Sequence, residues 1–162
     1  MSTTSVEAHI AYLTIMEEPK DTFSEALILV DGNGYPIDYR YTDKISVTEI
    51  QRAIYGAKLK EYLSTEIFGT KLLNDLEHQP TIVLVNEEYM LKLRDKIDYP
   101  IIFVQNENSN MSNSQLKKIT HPENEKDLEK SEALLIKCEK KFDILEPFNR
   151  INQAIKSFEN EK

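Results

Sequence analysis

Four kinds of side chain in this 162-residue chain could do chemistry: three histidines, one cysteine, a loose set of carboxylates, and a cluster of arginine and tyrosine. His9, His78 and His121 stand apart in the sequence. None has a second His or Cys at ligand spacing, so no zinc pattern is read and no cofactor is expected. His78 falls where a helix should end, a place that favours an imidazolium. Cys138 lies on the apolar stripe of a C-terminal helix with no base beside it, which reads as a buried structural thiol rather than a nucleophile. No serine sits in a Gly-x-Ser-x-Gly elbow. Asp31, Gly32, Asn33 and Gly34 offer two glycines, but lack the third glycine and the following helix of a dinucleotide site. No catalytic residue is assigned on these grounds.

Asp31, Asp38 and Asp43 gather around one expected hairpin, with Glu49 just beyond. Asp31, Asp38 and Glu49 are an alternative set of ligands for a divalent ion, as a metal-dependent nuclease or phosphodiesterase would need. Simpler roles also account for them. Asp31 opens a turn, Asp38 lies on a wet strand face, and Asp43 precedes a helix. Their spacing does not follow the alternating pattern of a calcium loop.

Tyr39, Arg40 and Tyr41, followed by Lys44, Arg52 and Tyr55, combine residue types that suit docking to a protein or stacking on bases. On a strand, Arg40 faces away from Tyr39 and Tyr41, which separates the charge from the rings. The C-terminal stretch carries a second candidate surface. Phe148, Ile151, Ile155 and Phe158 recur on one helical face that must cover the sheet, a neighbouring helix or another chain. The residues expected to meet a partner are therefore Tyr39, Arg40, Tyr41, Arg52, Tyr55, Phe148, Ile151, Ile155 and Phe158.

The elements that position these residues follow from local pattern. Residues 10–16 and the apolar run 26–30 read as strands, the second buried on both faces. The Asp-Gly and Asn-Gly pairs at 31–34 call for a turn, and the alternation through Ile37, Tyr39 and Tyr41 supplies the hairpin partner. Ser46 and Glu49 fit a capping box that opens a helical stretch to about residue 77, divided at Gly69. Residues 81–85 form a strand, 87–97 a helix capped by Asn86, and 101–105 a further strand. The organisation expected is a flexible N-terminus over 1–8, an α/β domain over 9–105, a polar linker over 106–126 and a helical segment over 127–162.

This reads as an α/β (α+β) fold with a mixed sheet of about five strands: an antiparallel meander, then a β-α-β unit, with helices packed on it. The order of elements across residues 10–105 resembles the ribonuclease H-like fold. The resemblance implies metal-binding carboxylates on the first strand, on the first helix and at the end of the fourth strand. Residues 10–16 carry no Asp or Glu, Glu49 opens the first helix, and Asn86, Glu87 and Glu88 follow the fourth strand. An inactive version of the fold is therefore expected.

Composition narrows the function classes. No apolar run approaches the ~20 residues of a membrane span, and no basic, then apolar leader opens the chain. One cysteine fits a reducing, cytoplasmic setting. Lysine outnumbers arginine 16 to 4, with 17 Ile and 11 Asn, a bias that fits an AT-rich bacterial genome. A net charge of −8 argues against direct binding of nucleic acid. The expectation is a non-catalytic accessory or adaptor subunit of a larger bacterial assembly, or a homo-oligomer, held by protein–protein contacts. The metal-dependent nuclease is the alternative.

Overall fold

The computed structural model describes residues 8–106 and 116–160. Its centre is a mixed sheet. β1 (His9–Glu17) pairs along its whole length with β2 (Thr22–Asp31), antiparallel, from His9 opposite Asp31 to Glu17 opposite Phe23. β3 (Pro36–Tyr41) adds antiparallel to β2. On its other side β1 pairs in parallel with β5 (Ile82–Val85), and β5 with β6 (Ile101–Asn106). β7 (Leu116–Thr120) closes the far edge, antiparallel to β6. The order is β3-β2-β1-β5-β6-β7, and the two-residue β4 (Ile45–Ser46) pairs with β2 to make seven strands. Three antiparallel strands followed by two parallel ones is the ribonuclease H-like order expected. The sheet is larger than the five strands read from the sequence, because β4 and β7 join it.

The strands of the centre are apolar on both faces, as strands covered by helices must be. Ile10, Tyr12, Ile28, Val30, Leu84 and Ile102 point to one face, where Leu135, Cys138, Phe148 and Ile151 cover them. Those residues belong to α4 (Lys126–Glu139) and α5 (Glu146–Asn160). Ala11, Leu13, Leu27, Leu29, Val85 and Phe103 point to the other face. They meet Leu72, Leu73, Met90 and Leu93 there.

Three local readings change. The capping box forms two residues later than expected: Thr48 Oγ1 accepts from Gln51 N at 3.1 Å, and Gln51 Oε1 accepts from Thr48 N at 2.9 Å. The same Ser/Thr-x-x-Glu/Gln spacing occurs twice here, and Ser46 is drawn into β4 opposite Thr22. The long helical stretch is not one helix. α1 (Glu49–Tyr55) ends at Gly56, whose φ of 54° takes the backbone out of the helical region. A 3₁₀ turn, the short α2 (Leu59–Tyr62), a π-helical segment Leu63–Gly69 and α3 (Thr70–Asn74) follow. The division expected at Gly69 is a change of winding from the π-helical segment to α3, with the backbone helical throughout. A Cβ there would collide with the Ser64 carbonyl and crowd Leu93 Cδ1 at 3.2 Å, so glycine allows close packing on the next element.

That element, read as an α-helix capped by Asn86, is a 3₁₀ helix over Glu88–Asp95 without a side-chain cap. Eight residues wound at ~2.0 Å rise reach ~16 Å, against ~12 Å in an α-helix. The tighter winding carries the chain back past β5 in one short element. Finally, the 106–126 stretch contains β7, whose residues are half-buried at the edge of the sheet. Residues 1–7 and 107–115 lie outside the described residues. Among the described residues no helix is long and apolar enough to cross a membrane.

Candidate metal centre

His121 follows the last residue of β7, which pairs with Ile102 near the start of β6. Its side chain is 9% exposed. The Glu123 backbone N–H donates to Nδ1 at 3.1 Å, which fixes the ring and leaves the proton on Nε2. Nε2 faces Asp95 Oδ1 at 3.0 Å. Asp95 ends the 3₁₀ helix, and Glu123 returns on the turn after His121. One ligand atom each from Asp95, His121 and Glu123 lies within 4.8 Å of the others. Among the described residues this is the one group of three or more His, Cys, Asp or Glu side chains so placed.

Two carboxylates and an imidazole form a ligand set of hard oxygen and borderline nitrogen, suited to a first-row divalent ion. The ion would replace the Nε2 proton between His121 and Asp95, while the bond to Nδ1 keeps the ring aimed. The neighbouring cation does not compete for Asp95. Arg94 donates from Nε to the buried Asp127 at 2.8 Å and from Nη1 to the Ile97 carbonyl at 3.0 Å.

The centre sits between two clefts. One, of about 530 Å³, is lined by Glu88, Tyr89, Lys92, His121 and Glu123. Burial, then the nearby carboxyls of Glu87 and Glu25, push the Tyr89 phenol up, so it stays protonated. The other, of about 520 Å³, runs past Asp95 to Lys58, Lys96 and the rings of Tyr55 and Tyr62. Lys92 and Glu61 line both clefts. The two tyrosine rings stack, with centroids 5.0 Å apart and planes at 27°.

The residues singled out in the sequence are dispersed. Asp31 Oδ1 accepts from the amides of Asn33 and Tyr35 at 2.8 and 3.1 Å, the work of a turn. Asp38 accepts from Arg40 Nε at 2.9 Å. Glu49 stands in the first turn of α1. Asp31, Asp38 and Glu49 do not form a ligand group among the described residues. β1 runs one residue beyond the expected strand and ends in Glu17, but that carboxylate is taken. Arg52 Nη2, Lys60 Nζ and the Asp21 amide all approach it, and these contacts hold its carboxyl below the usual range.

Tyr39 is partly buried against the sheet core and lies 5.7 Å from the ring of Tyr41, centroid to centroid. Arg52 is committed to Glu17 and Asp21. Tyr55 faces Tyr62 and not Tyr39. Phe148 and Ile151 are buried in the chain's own core, and Ile155 packs against it. The side chain of Phe158 lies outside the described residues. Cys138 is buried, and burial pushes its thiol up, away from a nucleophile.

His121 stands alone in the sequence but not in the fold, where Asp95 and Glu123 lie beside it. Its partners come from a separate element and from the next turn, and His121 itself lay in the stretch read as a linker. The local sign was His121-x-Glu123 around Pro122, a turn that returns a carboxylate toward the ring.

No protein-family model and no curated protein matches the chain. Solved structures to which it is similar include the following. A variant of Ciona intestinalis endonuclease V in complex with inosine-containing DNA matches at 11% identity and a TM-score of 0.48, over 67% of this chain and 50% of that one. Human endonuclease V matches at 13% and 0.39, over 67% and 52%. Marinitoga piezophila Argonaute with a guide RNA matches at 10% and 0.31, over 60% and 15%. This chain therefore spans about half the length of the endonuclease V chains or less of the others.

The non-catalytic accessory or adaptor subunit rests on the absence of a metal cluster from the sequence, and the fold brings Asp95, His121 and Glu123 together. The expectation that nucleic acid is not bound directly rested on net charge. It gives way to the placement of Lys58, Lys92 and Lys96 along one cleft, beside Glu61, Glu66 and Asp95, which a total of −8 does not disclose.

Proposed function

We propose that this chain is a divalent-metal-dependent phosphodiesterase acting on nucleic acid, with Asp95, His121 and Glu123 as metal ligands. The observation that carries the reading is the convergence of those three side chains at the meeting of two clefts. A bound ion there would supply Lewis acidity to a phosphodiester. The chain's own residues supply the rest. His121 is aimed by the Glu123 amide. Lys92 makes no ion pair among the described residues and lines both clefts, so its ammonium is available to a phosphate. The site differs from what the ribonuclease H-like resemblance implies. It lies by the start of β6 rather than at the end of β1, where Glu17 is neutralised by Arg52 and Lys60.

The test combines a melting curve with a cleavage assay. Mn²⁺ at 100 times its Kd should stabilise the fold by ~2.7 kcal/mol, a rise of roughly 5–10 °C for a chain of this size. Asp95→Ala should lose that shift together with metal-dependent cleavage of an end-labelled oligonucleotide. A wild-type protein whose melting ignores Mn²⁺ and Mg²⁺, and which yields no metal-dependent product, overturns the reading.

A further inference from the structure

The second cleft deepens that reading, on which it rests, by naming the form of the substrate. Its walls carry two features that one ligand class satisfies together. Tyr55 is 40% and Tyr62 37% exposed, and their rings are already stacked on each other. A stacked pair offers its outer faces to a further flat ring. Lys58, Lys92 and Lys96 line the same cleft, together with the carboxylates of Glu61, Glu66 and Asp95. Lys58 and Lys96 are only loosely engaged, with Glu61 at 3.7 Å and Glu66 at 3.5 Å, and their side chains are 75% and 49% exposed. Such surface pairs are weak and exchange partners readily. Lys92 has no carboxylate partner among the described residues.

Exposed aromatic faces beside mobile ammonium groups match a chain of bases and phosphates. They do not match a duplex, because a paired base has both faces covered by its neighbours in the stack. They also do not match a lone phosphate, which would leave the rings unused. We infer that this cleft is a binding subsite for single-stranded nucleic acid, in which an unpaired base stacks on the Tyr55–Tyr62 pair. The adjoining phosphates then lie along Lys58, Lys92 and Lys96 and lead toward Asp95. The two tyrosines come from different elements, the end of α1 and the end of α2. The sharp turn at Gly56 brings them together.

The experiment is a fluorescence-anisotropy titration in EDTA with labelled short oligothymidylate, oligouridylate and a DNA duplex of the same length. Single strands should bind and the duplex should bind more weakly. Tyr55→Leu/Tyr62→Leu, which keeps apolar bulk and loses the rings, should weaken single-strand binding roughly 5- to 150-fold, the worth of one stacked base. Tyr55→Phe/Tyr62→Phe should bind as the wild type does. Lys92→Ala should lower the slope of log Kd against log salt by ~0.7. Single-strand binding that is absent, unchanged in the Leu variant, or matched by the duplex overturns the inference. Because the titration contains no metal ion, it separates the two ideas. Single-strand binding without a metal-induced melting shift keeps the subsite and removes the hydrolytic reading. The shift without binding does the reverse.

Discussion

The hydroxyl of Tyr12, in the middle of β1, donates to the carbonyl of Ile144 at 2.7 Å, joining residues 132 apart in the chain. Ile144 lies in the bend between α4 and α5, and Phe148, one turn on, meets the Tyr12 ring edge to face at 4.9 Å. This contact fixes the C-terminal helices to their own sheet. Tyr12→Phe keeps the ring and strands a buried carbonyl, a loss of about 1–3 kcal/mol. Urea denaturation should show a lower midpoint with an unchanged m-value. A midpoint equal to that of the wild type would mean the carbonyl finds another donor.

The ligand set also predicts which ion is preferred. An imidazole nitrogen beside two carboxylates suits Mn²⁺ or Zn²⁺ better than Mg²⁺, which holds to oxygen and to its waters. At equal concentrations Mn²⁺ should raise the melting temperature more than Mg²⁺ does. His121→Gln should narrow that difference, because it removes the nitrogen. Equal shifts from both ions in the wild type would place the ion on carboxylates alone.

Glu25 on β2 is fully buried, and neither carboxylate oxygen has a hydrogen-bond partner. Desolvation holds its carboxyl well above the usual value of 4.5. The native state therefore keeps a proton that the unfolded chain releases. Native stability falls as pH rises from about the unfolded value through the folded one, and then levels off. Glu25→Gln removes this titration, so its stability relative to the wild type should increase with pH across that window. Glu25→Met, which also removes the unpaired polar atoms, should stabilise by about 1–3 kcal/mol at neutral pH. Melting curves from pH 4 to pH 8 read both effects.

The sheet was legible because its central strands are covered on both sides. Apolar runs such as 26–30 can satisfy that environment and few others, and the turn at Asp31 shows its chemistry in its own residues. β7 was not legible. At the edge of the sheet Leu116 packs against the core on one face and Ile119 against the core on the other, and the lysines between them made the segment look like linker. The metal centre was hidden for a different reason. Asp95 and His121 meet through the return of β7 beside β6, and that pairing leaves no periodicity in either segment. Tyr55 was visible as an aromatic near basic residues, but its stacking partner is Tyr62 and not Tyr39. The left-handed turn at Gly56 decides which ring it meets.

α1 buries none of its residues, and Ile50 and Ile54 are 72% and 75% exposed. Its attachment to the sheet runs through Arg52, which reaches Asp21 with Nε and Glu17 with Nη2. Glu17 is held below the usual carboxylate range, first by the Asp21 amide and then by Arg52. A depressed carboxyl stabilises the fold above its unfolded value and loses that contribution as pH falls through its folded value, so acid loosens this tether. Arg52→Gln should do the same at neutral pH. Amide hydrogen exchange should then speed up across 49–55 and stay unchanged in β1 and β2. Because Tyr55 ends α1, the same variant should weaken oligothymidylate binding although Arg52 does not line the cleft. Faster exchange with undiminished binding would show that Tyr62 alone supplies the stacking face.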